Sequence, residues 1–256
     1  MDPNQIIGMG VDAYNALDNE SKHALTYPAA KTLGLAADGL ISIFCYPFLR
    51  ARIFTQASLK QYKEETAAKI NKIPEKNRDS SKLGLVIKAI EESRYQLNED
   101  DIRHMYVNLI ASTVDSRKNN VVNPRLATVV AQFGINEAHI MQKLAQSESK
   151  LLLTSQLWAI DGSSDYWITP RFLSIDNNLT SKYASSIDTL KSLGVIDDLP
   201  DRALTETKYK EEYSDMEKYI KGFNQLLRRQ EKTTRFKNGY IKLSNFGNDL
   251  ARCIFE

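Results

Sequence analysis

Chain-breaking residues are scarce: 7 prolines and 11 glycines in 256 residues leave long stretches with nothing to stop a helix. Proline removes a helix N–H, and glycine favours left-handed turns over regular structure. The scarcity therefore predicts a mainly α chain. Hydrophobic residues at 42% and charged residues at 26% supply a globular core and exclude whole-chain disorder. The length predicts one or two domains of about 100–200 residues each. No internal repeat period emerges.

Segments 11–25 and 29–46 read as helices, the second small and apolar, opened by Pro28 and broken by Pro47. Residues 49–72 alternate charged and apolar side chains at helical spacing, Ile73-Pro74 ends them, and 75–81 is a polar linker. These make a first region, 1–82. A central block, 83–134, follows. Leu83, Val86, Ile87 and Ile90 share one helical face. Asn98 then caps an acid-started helix, and Asn123-Pro124 opens a short helix closed by Gly134.

From 135 the order becomes helix, strand (151–160), loop (161–165), helix stopping at Gly194, strand, long helix, strand, helix. The strands at 195–199 and 239–243 read as a small β-wing, with the charged helix 205–233 inserted between them. The expected architecture is an N-terminal helical region followed by a winged-helix-like domain at 135–256.

Three stretches carry a family resemblance. They are EESRYQLNEDDIRHMYVNLIASTVDSRKNNVVNPRLATVVAQF (91–133), INEAHIMQKL (135–144), and SIDTLKSLGVID (186–197) with YIKLSNFGNDLARCIF (240–255). Together they resemble the Abi-alpha family, the alpha component of bacterial abortive infection systems. The shared features are an acidic helix start, an aromatic-x-Asn-Leu core and a closing Leu-Ser-x-Phe-Gly segment. Asn123 stands where the family commonly has His, and Gly134-Ile135-Asn136 replaces a Leu-Ser helix start. The resemblance implies a bacterial or prophage-encoded protein of phage defence, and brings no catalytic residue with it.

Two segments are candidate contact sites. Between Lys221 and Lys242 the net charge is +6. Arg228, Arg229, Lys232, Arg235 and Lys237 would meet phosphates or a protein partner there, with Phe236 and Tyr240 interleaved. Acids early and bases late also suit a solvated helix in its own dipole. The helix 183–193 lacks Arg, which weighs against sequence-specific DNA reading. The second segment, Leu33–Leu49, carries one charge, Asp38. A membrane span needs about 20 apolar residues, so a helix buried between others is favoured. In the membrane-associated alternative, Leu40, Ile41, Ile43, Phe44 and Phe48 would touch lipid, with Arg50 and Arg52 beside anionic headgroups.

Catalysis finds no pattern. His23, His104 and His139 lack metal-ligand spacing, and no GxxxxGK[ST], GxGxxG or GxSxG occurs. Glu99, Asp100 and Asp101 read as helix-start acids, and Asp115 with Arg117 is a common pairing. Cys45 and Cys253 are too few for a disulfide scaffold or a cysteine-rich zinc site. The N-terminus lacks a signal-peptide pattern, so a cytoplasmic location is expected, peripheral at the inner membrane in the lipid reading. A near-neutral total of +2 excludes a polybasic protein. The expected function is a non-enzymatic, cofactor-free sensor or effector of abortive phage defence with a protein partner. A nucleic-acid-binding regulator is the alternative, and self-association is compatible with either.

Overall fold

The computed structural model describes Ile41, Cys45 and residues 55–161, 164–226 and 233–256. Two compact units divide the chain: residues 1–135 with 249–256, and residues 136–248.

The described elements of the first unit are helices. Helix α1 (Gln56–Asn71) starts where Thr55 Oγ1 accepts the Ser58 N–H at 3.0 Å, a cap that contributes about 1 kcal/mol. Its buried face is Leu59, Tyr62, Thr66 and Ile70. Helix α2 (Leu83–Ser93) buries Val86, Ala89 and Ile90, and Tyr62 donates to Ser93 Oγ at 3.0 Å between the two helices. Helix α3 (Asp100–Thr113) carries Asp100 and Asp101 in its first turn, where the helix dipole favours acids. Glu99, rather than the expected Asn98, occupies its cap position, without a side-chain bond. Asn123 caps α4 (Pro124–Val130) as its spacing predicts, accepting from Arg125 N at 3.0 Å.

Five more elements of chain order belong wholly or mainly to the second unit. They are α5 (Ile135–Gln146), β1 (Leu151–Asp161), β2 (Ser164–Trp167), β3 (Phe172–Ile175) and β4 (Asn178–Thr180). Helix α6 (Ala184–Ser192), β5 (Ile196–Leu199), α7 (Thr207–Leu226) and β6 (Thr234–Leu243) follow. The last helix, α8 (Asn245–Ile254), ends in the first unit. There its terminal carbonyls, orphaned by helix geometry, are met by Asn108, Ser112 and Lys118 at 2.8, 2.9 and 2.7 Å.

The mainly α expectation is overturned. Among the described residues, eight α-helices accompany a six-stranded antiparallel sheet, so the fold is mixed α/β. The strand order is β4-β3-β1-β6-β5, with β2 also paired to β1. Strands 195–199 and 239–243, read as an isolated wing, are parts of this sheet: Ile196 pairs with Leu243 and Leu199 with Tyr240. Helix α7 lies between them in sequence, as the pattern predicts; its described residues are Thr207–Leu226, β6 begins at Thr234, and 227–232 lie outside the described residues. The cause of the misreading is local. The β3–β4 hairpin turns on Asp176 and Asn177, with φ of 53° and 58°, the left-handed pair that such turns require. Asx residues supply a conformation usually given by glycine, so a glycine-poor chain still forms hairpins.

One face of the sheet is covered by α7. Leu157, Ala159 and Phe236 pack with Ile220 and Phe223, and Leu153 and Tyr240 with Tyr213 and Met216. Tyr213 also donates to Gly239 O at 2.9 Å. The opposite face is buried at one end, where Thr154 and Ile241 lie. Its other end is exposed.

Candidate functional site

Antiparallel register places directly opposed residues on the same face. Trp158 of β1 opposes Trp167 of β2 on one side and Arg235 of β6 on the other. A row Trp167–Trp158–Arg235 therefore crosses three strands on the face away from α7. Gln156 opposes Lys237 one step along the same face, and Ile160 opposes Asp165. Trp167 is 58% exposed and Ile160 38% exposed.

The row is held in place by its own contacts. Trp158 Nε1 donates to Gln156 Oε1 at 3.0 Å, and Gln156 Nε2 donates to Thr169 O at 2.9 Å. Lys237 Nζ stands 3.4 Å from the centre of the Trp158 ring, a cation–π contact. Arg235 pairs with Asp201 at 3.0 Å, Asp201 itself sitting at φ 72° after β5. The patch thus combines two indoles, an aliphatic side chain and two cations, each cation already engaged.

Of the sequence-predicted contact residues, Arg235 and Lys237 lie on this face. Phe236 and Tyr240 point to the α7 side instead, where they join the core. Arg228, Arg229 and Lys232 fall outside the described residues. Among the predicted lipid contacts, Ile41 is buried, and Leu40, Ile43, Phe44 and Phe48 fall outside the described residues. No described helix is long and apolar enough to cross a membrane. Sequence reasoning missed both tryptophans. A signal existed: Trp158 and Trp167 stand equally far, in sequence, from the centre of the Gly162-Ser163 pair in the polar run DGSSD, the spacing of two opposed residues in antiparallel strands.

Other titratable side chains are engaged with one another. His139 of α5 meets Tyr183 Oη at 2.5 Å through Nδ1 and Asp176 Oδ2 at 3.0 Å through Nε2. Lys143 adds a 2.7 Å ion pair to Asp176, and this hydrogen bond first, then the Lys143 charge, hold the Asp176 carboxyl below the usual range. Tyr183 is buried, so the trio ties the β3–β4 turn to α5 and presents no open nucleophile. His104 is exposed beside Glu65 at 3.4 Å. Arg117 occupies both oxygens of buried Asp115, at 2.9 and 2.6 Å, which holds that carboxyl low. Burial pushes the Cys45 thiol up to about 12 and the Cys253 thiol up to about 11, which removes their nucleophilic form at neutral pH. Among the described residues, no group of three His, Cys, Asp or Glu side chains is placed to hold a metal ion.

A family model described as abortive infection alpha matches residues 55–254, spanning both units. No curated protein and no solved structure matches the chain.

Proposed function

The chain belongs to the abortive infection alpha family, whose setting is abortive infection defence, and from that premise we propose that it is a non-enzymatic recognition component. It engages a protein partner, of phage or host, through the Trp158–Trp167 face. The row Trp167–Trp158–Arg235, at the exposed end of that sheet face, carries this reading.

The side-chain types favour protein over nucleic acid. Trp, Tyr and Arg supply most of the binding energy of protein interfaces, at about 2 kcal/mol or more per hot spot. A nucleic acid needs uncompensated cations, because its affinity comes from displacing counterions along the phosphates. Here Arg235 is paired with Asp201, Lys237 is spent on the Trp158 ring, and Asp165 sits on the same face. Ile41 and Cys45 are buried, which favours a core role over lipid contact for these two residues.

Trp167→Ala tests the face with little risk to the fold, since an exposed side chain away from the core costs about 0.5 kcal/mol or less on removal. Trp167→Ala combined with Arg235→Ala is expected to abolish plaque reduction in a host that the unaltered protein protects, at equal protein level. Full protection by that double variant contradicts the reading. Retardation of random DNA with a steep salt slope, lost when Arg228, Arg229, Lys232 and Arg235 become Ala, would replace the protein partner with nucleic acid.

A further inference from the structure

Four cations converge on a single cleft of about 210 Å³ in the helical unit. Lys69 and Lys72 reach it from the end of α1, and Arg117 and Lys118 from the 3₁₀ turn Ser116–Lys118. Asn108 and Ser112 of α3 line it with them.

The fold leaves this charge unbalanced. Asp115 is taken by Arg117, at 2.6 Å between Oδ2 and Nη2. Lys118 donates to Ser112 Oγ at 3.2 Å and to Arg252 O at 2.7 Å, neither of which carries a charge. Glu256 stands exposed at the cleft. Lys69 and Lys72 form no ion pair among the described residues. Burial, then the charges of Lys118 and Lys72, push the Lys69 ammonium below the usual lysine range. Bases at the end of α1 suit its dipole, which accounts for Lys69 in the last turn and Lys72 at the C-cap. It does not explain why a second element brings Arg117 and Lys118 to the same place.

We propose that this cleft binds a phosphate group, with Lys69 and Lys72 as its main donors and Lys118 completing the positive rim. A dianion replaces repulsion among like charges by charge-assisted hydrogen bonds. The volume is below the roughly 300–1,000 Å³ of sites that enclose a drug-sized ligand, so the cleft takes the phosphate and little of its carrier. The site is distinct from the tryptophan face and independent of the function proposed for it.

Thermal unfolding of the full chain, followed by far-ultraviolet circular dichroism at fixed ionic strength, tests the assignment. Sodium phosphate is compared with sodium chloride, and adenosine 5′-monophosphate with adenosine. At roughly tenfold excess over Kd, phosphate is expected to raise Tm by about 3 °C. Lys69→Gln with Lys72→Gln should abolish that rise. Without phosphate, the double variant should melt at or above the temperature of the unaltered protein, because a repulsion has been removed. A rise with the monophosphate at lower concentration than with inorganic phosphate assigns the group to a nucleotide; equal concentrations assign it to free phosphate. No phosphate-specific rise in the unaltered protein overturns the proposal. So does a phosphate-free Tm that falls in the variant, which would make the lysines part of the scaffold.

Discussion

Gly247→Ala is expected to destabilise the sheet unit by about 3 kcal/mol, lowering its Tm by about 6–12 °C. A Cβ at this position would lie 2.0 Å from Val195 O and 3.0 Å from Val195 C. Both are backbone atoms, so no side chain can swing aside. The neighbourhood is also fixed by hydrogen bonds. Ser244 N donates to Val195 O at 3.0 Å, Ser244 Oγ donates to Gly194 O at 2.6 Å, and Gly247 N donates to Ser244 Oγ at 2.9 Å. The start of α8 is thus pinned onto the turn that ends α6, where Gly194 takes φ 68°. Moving it by more than an ångström breaks that set together. The chain's two tryptophans, Trp158 and Trp167, both lie in this unit, so intrinsic fluorescence reports its unfolding separately. Gly222→Ala is the control: nothing lies within 4 Å of its Cβ, in an exposed stretch of α7. That change should stabilise by about 0.5–1 kcal/mol, the ordinary helix preference for Ala. A Gly247→Ala transition within about 2 °C of the unaltered protein would refute the close approach.

Asp198→Ala is expected to cost about 3–5 kcal/mol, the usual loss when one member of a buried ion pair is removed. The Asp198 side chain is 3% exposed, 2.6 Å from Arg171 and 3.3 Å from Lys191. Arg171 also donates to buried Thr154 Oγ1 at 2.8 Å, so its guanidinium would stay behind, half-anchored and without a counter-charge. Burial pushes the Asp198 carboxyl upward, but Arg171 and then Lys191 outweigh it and hold the folded value below the usual one. The sign follows from linkage. A carboxylate more acidic in the folded state contributes stability above the unfolded value of about 3.9, and loses it as pH falls through the lower folded value. Urea unfolding by tryptophan fluorescence should therefore weaken below about pH 4. Asp198→Asn should show a smaller loss over that acid range from an already lower starting stability. Equal acid sensitivity in the two proteins would place the carboxylates responsible elsewhere.

Much of the helical unit is legible in sequence because its signals are local. Asn123-Pro124 fixes a helix start, and the acids Asp100 and Asp101 act within one turn of their helix, whereas the Thr55 cap lies unseen inside the segment 49–72. Gly194 stops α6 for the same kind of reason. The sheet is less legible because strand pairing is not local. Charge density hides the alternation in β6: Arg235 and Lys237 face one side, Phe236, Asn238 and Tyr240 the other. In sequence only 239–243 reads as a strand, and 234–238 fall between it and the helix 205–233 until the register with β1 is known. The hairpin at Asp176-Asn177 escapes for want of the expected glycine. The candidate face has the same history. Its cations are visible as charge, whereas Trp158 and Trp167 acquire meaning only when β1 and β2 pair.

The proposed role of the tryptophan face is to engage a phage or host protein in abortive defence. Culture growth after infection tests it most directly, with cells carrying the unaltered protein, Trp158→Ala with Trp167→Ala, or empty vector. The unaltered protein should protect at low phage dose and let the culture collapse at high dose, because infected cells are lost before they release phage. The double variant, present at the same level, should collapse at both doses like the empty vector. Protection by the variant at low dose, equal to that of the unaltered protein, would contradict the account.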